Sequence, residues 1–259
     1  MQRDLLSREI QIDSIDREIH PQQCELVIAP NNNLSEIAGA VEFVREHLSR
    51  HYSASFAAKP LPDAPGNGCH FHLHVADGNG RNLLARATRG APQTEWLRQT
   101  IAGLCSVMRE SMVFFSPQPA DYQRYIHQPT SVEHRFSGAP TTVSWGANNR
   151  TCALRIPDVE NLAAQRIEHR LPCASCDPWL SLAAIVAGVA IGRRDSLELT
   201  RPQSFTDARV IDEGLPPLPR TFAEAATAYA HSRLHDELFG QTPLRFLRLL
   251  DDRLAGACR

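Results

Sequence analysis

Residues 66–74 read Gly66-Asn67-Gly68-Cys69-His70-Phe71-His72-Leu73-His74. Polar and apolar residues alternate with period two, so the stretch reads as a strand. His70, His72 and His74 then share one face, and Cys69, Phe71, Leu73 and Val75 the other. The glycines ahead of it let a ligand approach the backbone. Three imidazoles in a row suit a metal or a phosphate; a plain row of surface histidines has the same pattern. A second short strand, Arg166-Ile167-Glu168-His169-Arg170, puts Arg166, Glu168 and Arg170 on one face. That face is either a salt-bridge ladder or a carboxylate ligand between two anion-binding guanidiniums.

Outward from these strands, helical and extended patterns alternate. Residues 23–29 read as a strand. Ile37, Val41, Phe43, Val44 and Leu48 give residues 34–51 a helical face, with Asn33 or Ser35 as N-cap. A strand is expected at 54–58, running into Lys59-Pro60. One long helix is expected at 93–115, with Leu97, Ile101, Leu104, Met108 and Met112 in register. A Pro-rich loop at 116–124 follows, then strands at 141–146 and 151–157, and a mostly apolar helix after Pro178. Residues 1–20 are polar and broken, with room for a short helix. A Pro-rich linker follows Arg194, then short helices at 221–239 and 242–256. Hairpin-like turns between these elements, rather than regular βαβ units, predict an α+β fold.

Two further groups carry candidate chemistry. Arg150 and Arg155 bracket an apolar strand and invite a phosphate, but they lie five apart. They can serve one site only if Arg150 sits at the strand's entry or at a bulge; ordinary edge arginines are the other reading. Cys173-Ala174-Ser175-Cys176 has no second pair at zinc-site spacing, so it reads as small residues in a loop before a helix.

The 259 residues suit one large domain, or one with a small helical appendage. A net charge of −2 exerts no global pull on nucleic acid or acidic membranes. Lys59 is the single lysine; the rest of the basic residues are arginines, as a codon bias toward Arg gives. The seven cysteines are scattered, no apolar run reaches the ~18 residues of a membrane span, and the start has no apolar signal region. A cytoplasmic protein with reduced thiols is expected.

The order of the motifs is more specific than any one of them. Phe56-Ala57-Ala58-Lys59-Pro60, GNGCHFH at 66–72, SPQPADYQR at 116–124, WGANNRTCALRIP at 145–157 and RIEHRLPCASCDPWLSLAA at 166–184 together resemble the glutamine synthetase family, in particular its γ-glutamyl-amine ligase branch. The resemblance runs from about residue 16 to 195, and more loosely to about 240. It implies a catalytic domain with a curved, mostly antiparallel sheet and flanking helices over 1–195, and a linker and helical extension over 196–259. It implies that ATP phosphorylates the γ-carboxylate of glutamate and that ammonia or an amine attacks the acyl phosphate, with two Mg²⁺ or Mn²⁺ ions. By motif position, His70 and Glu168 resemble ligands of the metal beside the ATP phosphates, and Glu25 a ligand of the other. His72, Arg150, Arg155 and Arg166 fall on nucleotide-binding positions. Arg124 and Arg170 fall on the glutamate-carboxylate positions, with Gly66 in the amino-acid loop. Arg150 and Arg124 are the implied catalytic arginines, and Lys59 falls on the family's Lys-Pro motif.

The chain also departs from the pattern. Two metal carboxylates of the family lie on a strand that would precede this sequence. Before Glu25, Gln22 and Gln23 stand where an acid and a glycine are expected. With about half the usual protein ligands, the second metal is expected to bind weakly. The loop after Arg124 is longer than the family's flap, and Glu133 stands in for the flap acid. Three consequences are open: a ligase subunit completed in a homo-oligomer or by a separate chain, with an apolar sheet edge awaiting it; a degenerate binder of nucleotide or glutamate; or a single Zn²⁺ or Ni²⁺ on His70, His72 and His74.

Overall fold

The computed structural model describes residues 10–18, 20–62, 64–126, 138–209 and 214–239. The chain opens with a hairpin of β1 (Ile12–Arg17) and β2 (Cys24–Ile28), so residues expected to be broken or helical form a strand. Pro21 sits in the turn, closed by the Gln23 N–H donating to the His20 carbonyl at 2.9 Å. No residue of the hairpin strands is fully buried.

Helix α1 (Leu34–Tyr52) starts where Asn33 predicts: its side chain accepts from the Ser35 and Glu36 N–H groups. The stretch 54–58 is irregular rather than a strand. β3 keeps only Phe71–Leu73 of the expected extended run. The long helix expected at 93–115 is two helices, α2 (Glu95–Ser106) and α3 (Met112–Phe115). The Ser106 and Ser111 hydroxyls donate to the carbonyls of Gly103 and Val107, a local competition that loosens the helical ladder. The apolar period survives the break because Val107, Met108 and Met112 all stay buried. The expected Pro-rich loop winds into a 3₁₀ turn over Pro119–Tyr125.

β4 (Trp145–Ala147), β5 (Leu154–Ile156) and β6 (Ile167–His169) complete a four-stranded sheet in the order β3-β6-β5-β4. β6 is antiparallel to both its neighbours, whereas β4 and β5 are parallel. Asn148, in the left-handed conformation (φ 49°), begins the doubling-back between those two. Helix α4 (Pro178–Arg194) is capped by Asp177, whose carboxylate accepts from the Leu180 N–H. The chain then runs to α5 (Phe222–Ala230) and α6 (Arg233–Phe239). The helix expected at 242–256 and the flap residue Glu133 lie outside the described residues.

The core joins α2, α3 and α4 to the sheet's inner face, where Leu154 and Ile167 are fully enclosed. α2 and α4 cross backbone to backbone: a Cβ on Gly103 would overlap the Gly188 carbonyl, and one on Gly192 the Gln99 carbonyl. That contact anchors the helical layer against which β6 is pressed, leaving the opposite face of β6 for polar side chains.

Candidate active site

Register builds the site. His72 pairs with Glu168 and Glu168 with Arg155, so one row crosses β3, β6 and β5. Glu168 is the hub. One carboxylate oxygen accepts from Arg170 Nη1 at 2.6 Å and lies 3.1 Å from His70 Nδ1; the other accepts from Arg155 Nη1 at 2.8 Å. Burial alone would raise its pKa. The His70 bond and the Arg170 charge, with the Arg155 bond, outweigh burial and hold the carboxyl well below the usual range.

Burial pushes His70 down to about 4 despite Glu168, so its ring is neutral at pH 7. With Nδ1–H on Glu168, its Nε2 keeps the lone pair. His72 Nδ1 accepts from Arg166 Nε at 3.0 Å, and burial pushes this ring down as well. Arg155 also donates to Asn148 Oδ1 at 2.6 Å. Burial lowers Arg170, with Arg124 and Arg155 adding repulsion. Arg155 Nε and Arg170 Nε are buried without a partner among the described residues. The face is therefore rich in guanidinium charge that one carboxylate does not balance.

Arg124 reaches the same place from the 3₁₀ turn. Its Nη1 donates to the Leu171 carbonyl at 2.6 Å and its Nη2 to the Arg170 carbonyl at 3.1 Å. It thus braces the backbone that carries Arg170. Gly66 and Gly68 are glycines of necessity: a Cβ on Gly66 would meet the Arg124 side chain and the Ala58 carbonyl, and one on Gly68 would meet Arg124 Nη2 and His70 Nε2. Lys59 donates to the Ala64 carbonyl and closes the turn that delivers this loop.

Arg150 is an exposed residue in the turn between β4 and β5, ahead of Leu154. Glu25, on β2, lies within the electrostatic reach of both Arg150 and Glu168. Its pKa is raised by burial first, then by Glu18, Glu168 and Asp16. Asp16 stands directly opposite Glu25 in the hairpin register, and the Glu18 N–H donates to the Gln23 carbonyl at 3.0 Å. Gln23 in turn donates to Asn67 Oδ1 at 2.8 Å, tying the hairpin to the glycine loop. The sequence reading missed Glu18. Its signal was parity: with a turn at Pro21, residues 16 and 18 fall on the face of Glu25.

The arrangement brings together His70, His72, Arg155, Arg166, Glu168 and Arg170, with Arg124 behind them and Glu25 in their field. It does not gather Glu25, His70 and Glu168 into one ligand set. Among the described residues no three His, Cys, Asp or Glu side chains form a metal-holding group, His70, His72 and His74 included. The Cys173–Cys176 pair is buried in the loop before α4, as small loop residues should be.

A family profile described as "Glutamine synthetase, catalytic domain" matches residues 1–248. Gamma-glutamylethanolamide synthetase of Streptomyces coelicolor is 35% identical over 188 residues, 73% of this chain and 37% of that protein. Gamma-glutamylputrescine synthetase of Escherichia coli is 33% identical over 215 residues, 80% of this chain and 42% of that protein. The chain thus spans less than half the length of these relatives. A solved structure titled "GmaS/ADP complex-Conformation 1" superposes with a TM-score of 0.82 at 22% identity, covering 99% of this chain and 59% of that one. At that identity the likeness shows a shared fold.

Proposed function

The chain belongs to the glutamine synthetase family through its catalytic domain, and from that premise we propose that it forms an amide on the γ-carboxylate of glutamate, using ATP and taking ammonia or an amine as acceptor. The observation that carries this reading is the guanidinium surplus around Glu168. Two anionic substrates, a nucleotide triphosphate and a dicarboxylate, are the chemistry such a surplus selects. Arg150, Arg155 and Arg166 take the nucleotide phosphates, with His72 beside them. Arg170, braced by Arg124, takes a glutamate carboxylate next to the Gly66–Gly68 backbone.

The donors also fit Mg²⁺ or Mn²⁺, which favour carboxylates with at most an imidazole. Glu25 is crowded by like charges, and His70 Nε2 keeps a lone pair beside Glu168. Glu168 with His70 would hold one cation, and Glu25 with Glu18 the other. Such a cation, when bound, neutralises and orients the phosphoryl group being transferred. The protein's own part is positional. The arginines draw charge off the developing γ-glutamyl phosphate, and neutral His70 keeps its proton on the Glu168 side.

Neither hairpin strand has a buried residue, which supports completion of the site by a second copy or another chain. The described cysteines are all free, in keeping with a cytoplasmic setting. No helix among the described residues is long and apolar enough to cross a membrane. A second reading, a degenerate binder of nucleotide or glutamate, draws on the guanidiniums that already occupy both Glu168 oxygens. The test is ADP release with Mg²⁺ or Mn²⁺, glutamate, and a panel of ammonia, hydroxylamine and polyamines. Turnover abolished by Glu168→Ala, at a temperature where its near-UV circular dichroism is that of the folded parent, supports the ligase. ATP binding by calorimetry without ADP release supports the binder.

A further inference from the structure

Cys69 stands between Gly68 and His70, and its sulfur lies within hydrogen-bonding reach of the Cys176 sulfur. Arg45, on α1, reaches both sulfurs. Its Nη1 donates to the Cys176 carbonyl at 2.5 Å and its Nη2 to Cys176 Sγ at 3.3 Å. The carbonyl bond fixes the guanidinium against the two thiols. A cysteine that only fills a core behaves as a small hydrophobe. A cation held against a pair of thiols is instead the surrounding in which reactive cysteines are found.

The backbones that carry the pair are already aligned. The Cys69 N–H donates to the Pro172 carbonyl at 2.8 Å, and the Ala174 N–H donates to the Asn67 carbonyl at 3.1 Å. Gly68 and Cys173 form an antiparallel bridge between them. The glycine loop and the segment entering α4 therefore run side by side, and a bond between the two thiols needs no new approach of the chain. Cys173 is nearer to Cys176 in sequence but is engaged elsewhere: its Sγ lies 3.2 Å from Ser116 Oγ and 3.3 Å from the Tyr125 hydroxyl oxygen. Exposure divides the roles, because Cys69 is part-exposed and Cys176 only 2% exposed.

We propose that Cys69 and Cys176 are a peroxide-responsive pair, which hydrogen peroxide converts to an intrachain disulfide. The Cys69 sulfur attacks one peroxide oxygen and the O–O bond breaks. Cys69 becomes a sulfenic acid, and the other oxygen leaves as water with the thiol proton. The Cys176 sulfur then attacks the Cys69 sulfur, and the sulfenic hydroxyl leaves as a second water with the Cys176 proton. Two thiols are oxidised by two electrons in all, and one peroxide is reduced to two waters. The new bond takes the Cys176 sulfur from Arg45 and staples the glycine loop to the segment entering α4. Exchange with a small thiol restores the pair. This chemistry does not depend on the ligase reading.

The experiment treats the reduced full chain with hydrogen peroxide, alkylates the remaining thiols in denaturant, and maps tryptic peptides by mass spectrometry. The expected product is a chain lighter by two hydrogens, with peptide 51–81 joined to peptide 171–193. Fragmentation between Cys173 and Cys176 should place the link on Cys176, and dithiothreitol should remove it. Cys69→Ser and Cys176→Ser should each abolish the link and Cys173→Ser should keep it, with near-UV circular dichroism checking that each variant is folded. Mapping of the unmutated chain decides the outcome even where a variant fails to fold. Three results would overturn the proposal: no joined peptide, a link that fragmentation places on Cys173, or Cys69 oxidised as far as sulfinic acid while Cys176 is still alkylated.

Discussion

Replacing Glu168 by glutamine keeps the shape of the hub and removes its charge. The Glu168 side chain is 5% exposed, and those of Arg170 and Arg155 are 8% and 15% exposed. The two guanidiniums would then face a neutral amide with little water to screen them. Exposed pairs contribute only about 0–1 kcal/mol, whereas removing one partner of a buried pair costs about 3–5 kcal/mol. Burial decides for the larger figure, and the repulsion among Arg124, Arg155 and Arg170 works in the same direction. Against a typical stability of about 5–15 kcal/mol, Glu168→Gln should be severely destabilised. At about 2–4 °C per kcal/mol, its Tm should fall by roughly 6–20 °C. Urea unfolding followed by circular dichroism measures the loss as a shifted midpoint at unchanged slope. A double-mutant cycle with Arg170→Met isolates the pair. Removing Arg170 should cost less in the Glu168→Gln background than in the parent, with a coupling of about 1–3 kcal/mol. A loss under about 1 kcal/mol, or strictly additive losses, would refute the claim that this pairing organises the site.

Stability should fall in acid through His70. Its folded pKa of about 4 lies below the ordinary 6.5. Between those values the unfolded chain binds a proton that the folded chain refuses, so stability drops as pH falls from about 6.5 to 4, by about 3 kcal/mol. His70→Asn should flatten that part of the urea-midpoint profile, leaving the share of buried His169, which is held near 3 first by burial and then by His70. An equally steep variant profile would count against the assignment. Gly103→Ala should cost about 1–3 kcal/mol by driving α2 off α4, while Gly39→Ala, with open space at its Cβ within α1, should gain about 0.5–1 kcal/mol. Equal midpoints for the two would sink the close-approach argument. Arg150→Ala should weaken ATP binding about tenfold with an unchanged unfolding midpoint, since its side chain is exposed. Calorimetry showing undiminished ATP affinity would remove Arg150 from the nucleotide site.

Much of this was written locally. The period of two at 69–75 places His70 and His72 on one face whatever strand lies beside them, and the parity of 166–170 does the same for Arg166, Glu168 and Arg170. Asn33 and Asp177 announce their helices because an N-cap needs only its own next turn. The order of five short motifs identifies the family before any contact is known. What the sequence does not carry is pairing. That Arg155 and His72 meet Glu168 depends on the register of β6 against β5 and β3, set by residues 13 and 96 positions apart. The parallel run of β4 beside β5, the break between α2 and α3, and the β1 strand that brings Asp16 and Glu18 toward Glu25 are likewise products of packing. Local periodicity records which face of an element is apolar. Only the folded chain decides which other element covers that face, and so which charges are forced to share one dry space.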